Sequence, residues 1–196
     1  MNRLYYCDLT TLQGGLEGLK GKNTMLPFKK LVDNFEAQYI LVTNDGPVFT
    51  FLTNKNAPRY KITRVDISKQ DEVWLDVIPE SRTDVLTTVN CVNGNQLMVC
   101  YMKDVKHLLQ IHDLQTGKFQ WRLPLEIGTV TDTTGRRQDP EVFFNFTSFL
   151  SPGTVYRCDL SSPDREIKAF REVGSDVFDR SMFETKQVCT TCYICQ

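Results

Sequence analysis

Residues 108–114 read LLQIHDL: an apolar, strand-like run that closes on Asp-Leu. The same ending, Asp-Leu or Asp-Ile, closes three other strand-like runs: LYYCDL (4–9), KITRVDI (61–67) and VYRCDL (155–160). The four aspartates, Asp8, Asp66, Asp113 and Asp159, lie 58, 47 and 46 residues apart. Each of the last three is followed by a turn and a further strand-like run: VWLDVIP (73–79), KFQWRLP (118–124) and REIKAFREV (165–173). Ahead of them stand VFTFLT (48–53), QLMVCYM (96–102) and EVFFNFTSF (141–149), with YILVT (39–43), VLTTVNCV (85–92) and IGTVT (127–131) at the front of each unit. The runs are short, rich in β-branched and aromatic residues, and punctuated by Asn44-Asp45-Gly46, Asn93-Gly94-Asn95, Gln115-Thr116-Gly117 and Ser151-Pro152-Gly153, which is strand-and-turn patterning.

Four antiparallel strands repeating every 40–50 residues or so predict the blades of a β-propeller, because one twisted four-stranded sheet cannot bury both faces and must stack on its neighbours. The expected fold is therefore all-β, an incomplete propeller: residues 1–173 hold three blades, at about 35–80, 82–126 and 127–173, and a preceding half blade, 1–34. The candidate helix LQGGLEGLKGKN (12–23) carries four glycines and reads as a loop within the half blade. Three and a half blades do not close a ring, so the expectation is a piece of a longer protein or a fragment. An ordinary β-sandwich is the competing architecture.

Composition narrows the partners. With 23 basic and 24 acidic residues the net charge is −1, which gives no sign of nucleic acid or an anionic membrane. No apolar run is long enough to span a bilayer, and MNRLYYCDLT lacks the apolar core of a signal peptide, so a cytoplasmic protein is expected. In that setting Cys7, Cys91, Cys100 and Cys158 read as reduced, buried residues, and the sequon at Asn145 as unused.

The search for chemistry assigns no catalytic, cofactor-binding or metal-binding residue, and no cofactor is expected. There is no Gly-x-Ser-x-Gly elbow, phosphate loop or His-Glu-x-x-His. His107 and His112 fall an odd number of residues apart on one strand and so face opposite sides of the sheet. Asp113 follows His112, but Asp recurs at that place in every repeat without a His, which points to turn hydrogen bonding. Phe49, Phe51, Phe143, Phe144, Phe146 and Phe149 read as packing between blades. Arg136 and Arg137, and the loop lysines Lys20, Lys22, Lys29 and Lys30, read as solvated. The tail CTTCYICQ (189–196) spaces Cys189, Cys192 and Cys195 as C-x-x-C-x-x-C, which could grip a metal or a cluster, but no fourth ligand is evident.

The stretches NRLYYCDL, KLVDNFEAQY, VTNDGPVFTFLTNKNAPRYKI, YMKDVKHLLQIHDLQTG, EVFFNFTSFLSPGTVYRCDL and FREV together resemble the prolyl oligopeptidase (prolyl endopeptidase) family, in family order from residue 2 to about 188. FFNFTSFLSPG followed by YRCDL is their most specific part. The resemblance implies a serine endopeptidase that cuts short peptides after proline, built from a seven-bladed propeller and an α/β-hydrolase domain with a Ser, Asp and His triad. The propeller gates substrate, this chain is the C-terminal part of it, and its partner is the hydrolase domain. Proline-containing peptides would bind only in the intact protein. The family's Gly-Gly-Ser-Asn-Gly-Gly motif is absent, so no triad residue carries over and the chain is expected to be inactive alone. Residues 174–188 are the expected linker towards the hydrolase, and 189–196 depart from the family pattern. A stand-alone interaction module using a propeller face, and a metal or redox protein built on the terminal cysteines, are the other classes considered.

Overall fold

The computed structural model describes residues 1–21, 25–69, 73–173 and 182–188. Cys189, Cys192, Cys195, Lys22 and the first part of the expected linker lie outside them.

Among the described residues the regular elements are strands apart from two single 3-10 turns, Leu9–Thr11 just ahead of the glycine-rich stretch and Glu17–Leu19 within it. Strands β1 (Leu4–Tyr6) and β2 (Lys29–Val32) pair as a two-stranded sheet. Three four-stranded antiparallel meanders follow. The first blade holds β3 (Tyr39–Asp45), β4 (Val48–Thr53), β5 (Lys61–Asp66) and β6 (Trp74–Ile78). The second holds β7 (Val85–Val92), β8 (Gln96–Lys103), β9 (Lys106–Asp113) and β10 (Phe119–Arg122), and the third β11 (Thr129–Gly135), β12 (Glu141–Ser148), β13 (Ser151–Asp159) and β14 (Ile167–Glu172). In each sheet the strands lie in chain order, so each blade is one up-and-down unit, and the incomplete propeller expected from the repeat is what forms.

The blades stack through their faces. Leu4, Leu31 and Val32 of the half blade meet Phe49, Phe51 and Val65 of blade one. Leu52, Ile62 and Ile78 of blade one meet Leu86, Leu97, Val99 and Tyr101 of blade two. The largest core joins Val92, Met98, Cys100, Leu109 and Ile111 of blade two to Val142, Phe144, Phe146 and Cys158 of blade three. Burying each such side chain contributes about 1.5–3 kcal/mol. Blade two is covered on both sides, so Leu97–Tyr101 of β8 is buried continuously. In β12 burial alternates instead: Val142, Phe144 and Phe146 are buried, and the residues between them are half-exposed. Two close approaches set the spacing. A Cβ on Gly117, at φ +69°, would stand 1.9 Å from the carbonyl oxygen of Val77 in the preceding blade. One on Gly135 would stand 2.8 Å from Val92.

Candidate functional site

The first strand of each blade is an edge strand, and β3, β7 and β11 run beside one another as the inner wall of the stack. Each carries an irregularity at the same place. Val42, Thr87 and Thr131 have no partner opposite them, because the register slips between Leu41 and Thr43, Leu86 and Thr88, and Val130 and Asp132. These are β-bulges recurring at intervals of 45 and 44 residues, and they bend and twist the innermost strands. Thr87 Oγ1 donates to the Cys100 carbonyl at 3.1 Å and Thr131 Oγ1 to the Asn145 carbonyl at 3.4 Å, so two bulges are pinned by their own hydroxyls. The exposed residues of β7 and β11, Thr87, Thr88, Thr129, Thr131, Asp132 and Thr134, make that part of the wall polar with one carboxylate and no cation, whereas β3 presents Ile40 and Leu41.

The hairpins at one end of the wall are tied by Arg137. Its Nε donates to the Gly94 carbonyl at 2.8 Å, and its Nη1 to Thr43 Oγ1 at 3.1 Å and the Asn44 carbonyl at 3.0 Å. Its Nη2 stands 2.7 Å from Asp45 Oδ1 and donates to Asn95 Oδ1 at 3.5 Å. One guanidinium from blade three therefore binds blades one and two, where five donors in a planar fork are used as only Arg can use them. The expectation that Arg137 is solvated is corrected: the hairpin places it over the two neighbouring turns. Asn90 Nδ2 adds a 2.6 Å bond to Thr133 Oγ1 across the wall, and Arg64 Nη2 a 2.6 Å bond to the Leu114 carbonyl of the next blade.

The other residues singled out in the sequence are structural. His107 faces blade three, its Nδ1 3.1 Å from the Val130 amide nitrogen. His112 faces blade one, with Nδ1 2.9 Å from the Gly117 carbonyl oxygen and Nε2 3.0 Å from Gln110 Oε1, and burial holds its pKa below the ordinary value. The two imidazoles are not brought together. Asp113 leaves His112 alone and accepts from Thr116, at 2.7 Å from both the amide and the hydroxyl. Asp8, Asp66 and Asp159 do the same with Thr10, Ser68 and Ser161, and the hydroxyl bond lowers the pKa of all four carboxylates. The full signal was therefore Asp followed two or three residues later by Ser or Thr, an Asx turn closing the third-to-fourth-strand hairpin of each blade.

Cys91, Cys100 and Cys158 are buried free thiols whose pKa burial pushes up, which is the opposite of a reactive thiolate. Phe49, Phe51, Phe144 and Phe146 pack between blades, while Phe143 stacks edge-on against Phe170 on the outer face of blade three. Phe149 is corrected: it projects from the β12–β13 turn, 92% exposed. Lys30 stays exposed, as expected, and stands 2.7 Å from Asp33 in a surface pair. Asn145 is half-buried in mid-strand. Among the described residues no helix is long and apolar enough to cross a membrane.

The family model "Prolyl oligopeptidase, N-terminal beta-propeller domain" matches residues 1–171. The chain belongs to the prolyl oligopeptidase family. It is 31% identical over 169 residues to the dual function macrocyclase-peptidase POPB of Amanita bisporigera, covering 86% of this chain and 23% of that protein. It is 29% identical over 154 residues to the prolyl endopeptidase of Elizabethkingia miricola, covering 78% and 21%. Among solved structures, apo prolyl oligopeptidase B of Galerina marginata superposes with a TM-score of 0.79 at 30% identity, covering 87% of this chain and 24% of that one. The same enzyme has been solved with a 35mer hydrolysis and macrocyclization substrate. The chain thus spans about a quarter of the length of these relatives, and the propeller model accounts for residues 1–171 of it.

Proposed function

We propose that this chain is the substrate-gating part of a cytoplasmic serine endopeptidase of the prolyl oligopeptidase family, one that cleaves short peptides after proline. The observation that carries the reading is the family match over 1–171 on a stack of blades whose inner wall is walled by bulged strands and clamped at one end by Arg137. Residues 1–173 act as the partial propeller. Residues 174–188 lead towards a hydrolase domain that supplies the serine, aspartate and histidine, and 189–196 take no part. The role is steric: a rigid wall of fixed width admits an extended short peptide and turns away a folded protein. No residue of this chain attacks the substrate.

A chimera tests this directly. Residues 1–171 replace the corresponding blades of the Galerina marginata enzyme, and a short proline-containing reporter is compared with a folded protein bearing proline in an exposed loop. The expected result is cleavage of the reporter alone. Equal cleavage of both would overturn the gating role.

A further inference from the structure

The three hairpins that join first and second strands share one end of the inner wall, and they differ in length. Blades one and two turn in two residues, 46–47, and three, 93–95, whereas the β11–β12 connection of blade three takes five, 136–140. The two short turns use left-handed residues, Gly46 at φ 55° and Asn93 and Gly94 at 44° and 72°, and have no slack to lean sideways. The longer loop leans over them. Gly94 N donates to the Arg137 carbonyl at 2.5 Å and Asn93 N to the Asp139 carbonyl at 3.1 Å, so its backbone lies on the turn of blade two. The Arg137 side chain then continues past blade two to Thr43, Asn44 and Asp45 of blade one. Among the described residues, 44–46 make no other hydrogen bond to blade two or three. A loop that crosses one neighbour and is fastened to the next by one side chain is a strap with a single latch.

The strap lies at the end away from which β14 runs. Leu160 N donates to the Pro140 carbonyl at 2.9 Å, which puts the β13–β14 turn beside the strap. From there β14 crosses to the opposite end, where Val173 N donates to the Gly153 carbonyl at 3.0 Å. On the gating reading above, on which this inference rests, the hydrolase domain follows β14, so the strapped end is the outer mouth of the wall. The fastening is firm and releasable. A planar guanidinium on two carbonyls, a hydroxyl and a carboxylate holds the hairpins at one separation, while Asp45 is half-exposed and open to screening by salt. We infer that the 136–140 loop is a strap across the outer mouth and that Arg137, its latch, sets the girth of the peptide the wall admits. Arg137 is a positioning residue: it touches hairpins and no substrate. Fastened, it keeps blades one and three from spreading about blade two; released, it lets them part, and a thicker peptide passes.

The test uses the chimera described above and one proline-containing peptide in two forms, linear and closed into a hairpin by a disulfide, so that girth changes and sequence does not. The readout is the ratio of kcat/KM for the closed form to that for the linear form. Arg137→Met is expected to raise this ratio at least about fivefold while linear hydrolysis stays within about twofold of the parent. Asp45→Asn, which keeps the carbonyl bonds, should raise it less, Arg137→Lys should restore part of the parent value, and Arg136→Met should change nothing. In the parent chimera, raising salt from about 0.05 M to about 0.5 M should also raise the ratio, and that rise should be absent from Arg137→Met. A lowered thermal transition with an unchanged ratio would make Arg137 a structural tie only and overturn the inference. A ratio that ignores both substitution and salt does the same. Because the salt series needs no variant, a folding defect in any substitution leaves the test standing. A parent chimera that cleaves a folded protein as fast as the short reporter overturns the gating reading and this inference together; a parent that discriminates, with variants that keep its ratio, overturns the inference alone.

Discussion

The two flanks of blade three are built from one alternating strand and have opposite characters. The flank towards blade two presents Val142, Phe144 and Phe146 to a continuous core. The opposite flank presents Glu141, Phe143, Asn145 and Thr147 from the same strand, with Arg157 paired to Glu141 and Phe170 against Phe143. At the matching positions of β8, blade two presents Met98 and Cys100, both buried against blade three. The difference teaches that the fold is held by face-to-face contact between blades. A blade's own hairpins supply the strands, and its neighbour supplies most of the burial.

The largest expected effect breaks that comparison most directly. Phe144→Ala empties the covered flank and should cost about 3–5 kcal/mol, enough to unfold the stack, whereas Phe143→Ala, one residue away on the other flank, should cost under about 1 kcal/mol. Denaturant melts of the two variants check it, and equal losses would contradict the stacking account.

Next comes alkaline pH. Tyr101, buried on the flank of blade two that faces blade one, has its pKa pushed up to about 12 by burial, with Asp84 adding to it. A raised acid pKa leaves the folded state fully favoured below the unfolded value near 10, and the advantage is lost as pH rises from about 10 through about 12, about 3 kcal/mol in all. Melts across that range should flatten in Tyr101→Phe. On the acid side the sign reverses for His112, whose pKa is lowered by burial: its contribution is present above about 6.5 and is lost as pH falls. His112→Gln should make the melting temperature less sensitive to mild acid.

A third comparison sets Arg137 against Arg136 in the same hairpin. Arg137→Met removes the bonds to blades one and two and should cost about 1.5–3 kcal/mol, with faster hydrogen exchange in the hairpins at 44–46 and 93–95. Arg136→Met should change neither. The smallest effect is that of the Asx turns: Asp113→Ala should cost at most about 1 kcal/mol, and Asp8→Ala, in the half blade, should change the melt less still.

Much of this architecture was legible in the sequence because the strand period and the recurrence of Asp-Leu are local signals. The same patterning put His107 and His112 on opposite faces, as they are. What was not legible depends on neighbours distant in the chain. Arg137 reads as a solvated tip until Asp45 and Gly94 are brought beside it, and Phe149 reads as core because it continues an apolar run past the end of its strand. The bulges at Val42, Thr87 and Thr131 share no single residue type, two being Thr and one Val, although their spacing matches that of the blades.

The central proposal is that this chain shapes a peptidase and does none of its chemistry. The most direct measurement is turnover of a fluorogenic Gly-Pro reporter by the purified chain, with and without a serine-directed inhibitor. The account predicts no hydrolysis above the blank in either arm. Hydrolysis that survives repurification and is abolished by the inhibitor would contradict it.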